Sequence, residues 1–166
     1  MQEKQVVPVV AASVDVFAQR KLVLTITWTE DLTGLDWDDL AEVYRLAPLG
    51  ERDPHKLEQT FSNSMFKCFV LDDGRVVGAG RVLADGADCA YLCDIALLPS
   101  HQGRGLGGEI IRRLVDMSKF HDKIILYAAP GKEPLYEKFG FRPMATAMAI
   151  FEDPAKAYSD GYLTRV

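Results

Sequence analysis

Four glycines in six residues, Gly103, Gly105, Gly107 and Gly108, stand between a continuous apolar run and a stretch with helical periodicity. At such a junction the first helical turn has backbone N–H groups without partners and a partial charge of about +0.5, so an anion is favoured there. Glycine tolerates positive φ and lets the backbone approach oxygen atoms closely, while Arg104 adds a planar, always-charged donor fork. That combination suits a pyrophosphate.

A bare glycine pattern has several readings. Gly103, Gly105 and Gly108 fit a dinucleotide fingerprint, but that motif follows the first strand of a parallel βαβ unit and has an acidic residue closing the next strand some ~20 residues on. The next expected strand here begins at Lys123 and no such acid closes it. A nucleoside-triphosphate loop ends in Gly-Lys-Ser/Thr, and Gly107-Gly108-Glu109 lacks both the lysine and the hydroxyl. A ligand-free flexible turn remains, at the cost of four ordered glycines opening a well-patterned helix.

The elements around the loop narrow the choice. Residues 1–20 read as an extension or edge strand, and 21–166 as one domain. Val23, Thr25, Ile26 and Thr27 predict a strand over 21–28. Asp36 is an N-cap candidate for a helix over 37–46, and Asp53-Pro54 opens a second helix to about Phe61. Residues 67–71 and 75–83 form a hairpin about Asp72-Asp73-Gly74, and 87–97 is a longer, more apolar strand, as befits the centre of a sheet. A helix follows over 105–119, with Leu106, Ile110, Ile111, Leu114 and Val115 on one face; then come a strand over 123–128, a helix over 133–139 and a return to extended chain from Phe141. The order β-α-α-β-β-β-α-β-α-β predicts an α+β fold in three layers, with a mixed, largely antiparallel central sheet flanked by helices.

Composition excludes some partners. With 166 residues and a formal charge of -5, the chain has no basic stripe of the kind that binds nucleic acid. Cys68, Cys89 and Cys93 are too few and odd in number for a disulfide framework; Cys89 and Cys93, in one strand, would be roughly 13 Å apart. With no membrane-spanning run or leader layout in the sequence, the expectation is a cytoplasmic protein without a membrane partner. His55, His101 and His121 read as surface residues, Cys93 as core packing, and no spacing suits a metal.

The run Asp94-Ile95-Ala96-Leu97-Leu98-Pro99-Ser100-His101-Gln102-Gly103-Arg104-Gly105-Leu106-Gly107 resembles the central motif of the GNAT acetyltransferases. Tyr127-Ala128-Ala129-Pro130-Gly131 and Leu135-Tyr136-Glu137-Lys138-Phe139-Gly140-Phe141 resemble the second motif of that family. The resemblance implies acetyl-CoA as acyl donor, with the backbone of Ile95, Ala96 and Leu97 pairing with the pantetheine arm. Gln102, Gly103, Arg104, Gly105, Leu106, Gly107 and Gly108 would hold the pyrophosphate. It further implies direct attack by an amine, with Asp94 accepting or relaying the ammonium proton, Tyr136 protonating the leaving thiolate, and an N–H near Leu97 polarising the carbonyl. Cys93 stands where some family members carry Glu, and Pro130 where many carry Asn. The expected acceptor is a small-molecule amine; a protein N-terminus or lysine, or a sensor without turnover, are the alternatives. Asp36, Asp38, Asp39, Glu42 and Glu51 form an acidic face that either attracts a cationic amine or is simply solvated. The segment 154–166, with Tyr158 and Tyr162, is compatible with a homodimer.

Overall fold

Asp73 and Gly74 both adopt positive φ, 50° and 80°, the two-residue turn whose twist matches a hairpin. They join β2 (Phe66–Asp72) to β3 (Arg75–Ala84), with Asp72 opposite Arg75. This computed structural model describes residues 26–164. The extension expected over 1–20, and the first part of the strand expected over 21–28, lie outside the described residues; the part described is β1 (Ile26–Thr29).

The sheet runs β1-β2-β3-β4-β5, with β4 at Cys89–Leu97 and β5 at Lys123–Ile125. The first three pairings are antiparallel and β4–β5 is parallel. Because successive side chains alternate between faces, β2 sends Phe69 to one core and Cys68 and Val70 to the other. The first core holds Leu40, Val43 and Tyr44 of α1 (Trp37–Leu46) with Leu57 and Phe61 of α2 (Pro54–Ser62). The second is closed by Ile110 and Leu114 of α3 (Leu106–Ser118). The mixed, mostly antiparallel sheet between helical layers is the α+β architecture predicted from the sequence.

Local chemistry starts the helices where the sequence places them. Asp36 accepts from the amides of Asp38 and Asp39, and Asp53 from that of Lys56, with Pro54 in the first turn. Residues 87 and 88, expected in the strand, belong instead to a turn held by the Asp85 carboxylate, which accepts from the amides of Ala87, Asp88 and Cys89.

The second half departs further from expectation. β5 has three residues rather than six, and α4 covers Glu133–Glu137 rather than reaching Phe139. No strand follows Phe141 among the described residues. Pro143 lacks the N–H a ladder needs and restricts Arg142 before it. Among the described residues a short helix not expected from the sequence follows instead, α5 (Pro154–Ser159), capped by the Asp153 carboxylate.

Candidate functional site

β4 carries a bulge where the glycine turn's upstream strand changes partners. Arg81 pairs with Cys93 and Ala79 with Ala96, so Gly80 alone faces both Asp94 and Ile95, and Asp94 takes a positive φ of 52°. A side chain at position 80 has no room: a Cβ there would stand 2.8 Å from both Ile110 Cγ2 and Leu114 Cδ1. The glycine allows α3 to lie directly on the bulge.

Ahead of the bulge β4 already loses its other neighbour. β5 pairs only with Cys89, Ala90 and Tyr91, so among the described residues the β5-side edge of β4 is open from Leu92 to Leu97. Leu98 N–H donates to Val77 O at 2.8 Å, toward β3, so by alternation the Leu97 amide points toward the open edge. Gln102 Nε2 donates to Leu97 O at 3.1 Å, meeting that carbonyl on the side away from β3. Ile95, Ala96 and Leu97 thus lie along an unpaired strand edge that borders the cleft beyond the end of β5, a place where an extended arm can add as a strand.

The cleft leads to the α3 entrance. Gly103 and Gly105 have φ of 74° and 81°, a conformation other residues avoid, and nothing lies within 4 Å of where their side chains would start. Gly105 is the N-cap in the left-handed conformation, and no described side chain caps the helix. The first-turn amides of Leu106, Gly107 and Gly108 are therefore available to an anion, and Arg104 is exposed beside them.

A contact not foreseen from the sequence steadies this loop. His101 Nε2 lies 2.9 Å from Asp72 Oδ2 and its Nδ1 lies 2.9 Å from Ser100 Oγ, with both His101 and Asp72 side chains largely buried. Since Asp72 can only accept, Nε2 carries the hydrogen and a neutral ring accepts the Ser100 hydroxyl. The two residues are 29 apart in sequence, and only the hairpin brings them together. His101 is therefore not a surface residue, and neither is His121, which is 7% exposed with Nδ1 2.9 Å from Ser118 O at the end of α3. Of the three histidines expected at the surface, His55 alone is there.

Asp94 sits in a polar knot below the cleft. Arg81 Nε donates to Asp94 Oδ2 at 2.6 Å and Arg81 Nη1 to Ser64 Oγ at 3.2 Å. Arg52 Nη2 is 3.7 Å from Asp94 Oδ1, and buried Tyr44 donates its hydroxyl to the Asp94 carbonyl at 2.7 Å. Burial pushes the Tyr44 phenol well above its usual range. Desolvation pushes the half-buried Cys93 thiol up to about 11, against the weaker pull of Arg81, so it is a poor nucleophile at neutral pH. Tyr136 lies elsewhere, on α4, half-buried and edge-on to Phe141 at 6.1 Å. It borders a cavity of about 520 Å³ whose walls include Val115, Ile124, Leu126, Phe139 and Phe141 and no residue of the Asp94 knot. Burial raises its phenol as well, which keeps it protonated as a donor.

The acidic face is largely engaged. Asp36 caps α1, Arg75 Nη2 lies 2.5 Å from Asp39, and Arg45 Nη2 lies 2.5 Å from Glu42.

The model of the Acetyltransferase (GNAT) family matches residues 30–141, more than half of the chain and inclusive of the bulged strand, the open edge and the glycine turn. The chain belongs to the GNAT acetyltransferase family. Among relatives of this GNAT protein, the chloroplastic serotonin N-acetyltransferase 2 of Oryza sativa subsp. japonica is 34% identical over 117 residues, covering 66% of this chain and 58% of the relative. The glucosamine 6-phosphate N-acetyltransferase of Trypanosoma brucei brucei is 32% identical over 85 residues, 46% of this chain and 58% of that protein. The chain thus spans under two thirds of the length of these curated relatives. A solved protein from meticillin-resistant Staphylococcus aureus, described as a probable acetyltransferase, superposes with a TM-score of 0.68 at 26% identity, over 76% of this chain and 98% of its own. Among the described residues no helix is long and apolar enough to cross a membrane, and no group of three or more His, Cys, Asp or Glu could hold a metal.

Proposed function

We propose that this GNAT protein moves an acetyl group from acetyl-CoA to the primary amine of a small molecule by direct attack. One observation carries the reading: the open edge of β4 leads straight into a glycine turn and an uncapped helix entrance. The residues fit the group, since outward-facing amides and a left-handed glycine N-cap are what a pantetheine arm and a pyrophosphate would use. Ile95, Ala96 and Leu97 would pair with the arm; Gln102, Gly103, Arg104, Gly105, Leu106, Gly107 and Gly108 would hold the diphosphate.

Acetyl-CoA supplies an activated acyl carbon, which passes to the amine nitrogen as the carbon–sulfur bond breaks. An amine with a pKa of about 10.4 must first lose a proton, and Asp94 is the group to hold the ammonium and relay that proton to water. Its pairing with Arg81 fixes the carboxylate in position. The Leu97 N–H would be the donor to the carbonyl oxygen as negative charge develops there. Tyr136, which burial keeps protonated, would supply a proton to the departing thiolate. The relatives that acetylate serotonin and glucosamine 6-phosphate support an amine acceptor. The purified chain should bind acetyl-CoA at micromolar concentration and release free thiol when a suitable amine is added. Absence of binding would remove the basis of the proposal.

A further inference from the structure

The Asp94 knot contains one more positive charge than it uses. Arg81 is held in place: its side chain is 13% exposed, and Nε and Nη1 donate to Asp94 and Ser64. Arg52 is not. Its side chain is 46% exposed, it makes no hydrogen bond among the described residues, and its ion pair with Asp94 is a loose 3.7 Å. The guanidinium is nevertheless aimed, because it leans over the Tyr44 ring at 5.8 Å while the Tyr44 hydroxyl is tied to the Asp94 carbonyl.

Two arginines therefore face one carboxylate, one residue before Ile95 where the open edge of β4 begins to serve the cleft. Among the described residues no acid other than Asp94 is ion-paired with Arg52, although Glu51 and Asp53 flank it in the chain. Asp53 is engaged by the Lys56 amide; Asp36, Asp39 and Glu42 are held as a cap, by Arg75 and by Arg45; Glu51, next to Arg52, is exposed. A molecule that brings its amine to Asp94 comes within reach of a planar donor fork with unused N–H groups. Such a fork matches a carboxylate or a phosphate in a bidentate manner and repels a second cation.

We infer that the acceptor carries an anionic group, a carboxylate or a phosphate, on the same molecule as the amine, and that Arg52 binds it. The inference rests on the acetyl-transfer reading above and narrows its substrate class. Polyamines and simple arylalkylamines are then poor acceptors.

The test uses matched pairs with the full chain and acetyl-CoA: glucosamine against glucosamine 6-phosphate, and tryptamine against tryptophan. The anionic member of at least one pair should have a kcat/KM at least about tenfold higher, and the pair that shows it tells phosphate from carboxylate. Arg52→Gln should bring that ratio to near one by raising KM for the anionic member far more than for the neutral one, with the KM for acetyl-CoA within about twofold; Arg52→Lys should restore part of the ratio. Preference for the uncharged-tail member, or a ratio untouched by Arg52→Gln, overturns the inference and leaves acetyl transfer intact. Acetyl-CoA binding without turnover of any of the four compounds also overturns the inference, and favours a sensor without turnover over acetyl transfer. Failure to bind acetyl-CoA removes both readings.

Discussion

The entrances of α2 and α3 solve the same problem in opposite ways. At α2, Asp53 supplies a carboxylate acceptor for the Lys56 amide and Pro54 has no N–H to satisfy, so the chain itself closes most of the first turn. At α3, the longest described helix, a left-handed glycine leads in and no described side chain caps the amides. Under the proposed reading, a helix end left open at a strand that has lost its neighbour receives an outside group, whereas a helix end closed by aspartate serves stability.

Gly105→Val separates the two most sharply. A β-branched residue at φ of 81° is strongly disfavoured, so the turn must rearrange and acetyl-CoA affinity should fall about a hundredfold, about 2.7 kcal/mol. Calorimetric titration of the variant would read this, and an unchanged Kd would show that the open entrance is not where the cofactor sits.

The closed side of the molecule should reveal itself at alkaline pH. The folded state holds the Tyr44 proton well above 10 and the Cys93 proton up to about 11, against ordinary values of 10.0 and 9.0. Below pH 9 both folded and unfolded chains keep these protons and the contribution is complete. As pH rises from 9 to 11 the unfolded chain releases them first, and stability should fall by about 2 kcal/mol. Urea titrations across that range would record the decline, which Tyr44→Phe should make shallower; a flat profile would mean that the phenol is not sealed in.

Asp53→Ala is the counterpart of the glycine substitution. Loss of the cap should cost about 1 kcal/mol of stability and leave the Kd for acetyl-CoA unchanged. A weakened Kd would erase the contrast between the two entrances. The smallest effect is expected at the loop clasp: His101→Gln should raise KM for acetyl-CoA about threefold at constant kcat, as the loop loses its tie to Asp72. A fall in kcat alone would assign the histidine another role.

Much of this was legible in the residues because it is local. Asp73-Gly74 specifies its turn through positive φ, Asp36 and Asp53-Pro54 specify helix starts within three residues, and the glycine run announces a left-handed helix entrance with no side-chain cap. What escaped is made by the sheet. Arg81 and Asp94 are 13 residues apart, Arg52 is farther off, and their convergence depends on a bulge that no periodicity announces. The clasp from His101 to Asp72 and the burial of His121 arise in the same way. The C-terminal region failed for a different reason: apolar, extended-looking chain after Phe141 lacks a strand because Pro143 interrupts it. The Asp153-Pro154 pair repeats the α2 signature ahead of a helix too short to show a period.

The single glycine opposite the bulge has a mechanical consequence. With Ile110 and Leu114 seated against Gly80, α3 has no slack to slide along the sheet, so the interval between its first turn and the Leu97 amide is fixed. That interval acts as a ruler: under the proposed reading, a thioester reacts when its arm has the length to anchor at one end and present its carbonyl at the other, and a shortened arm forfeits one of the two.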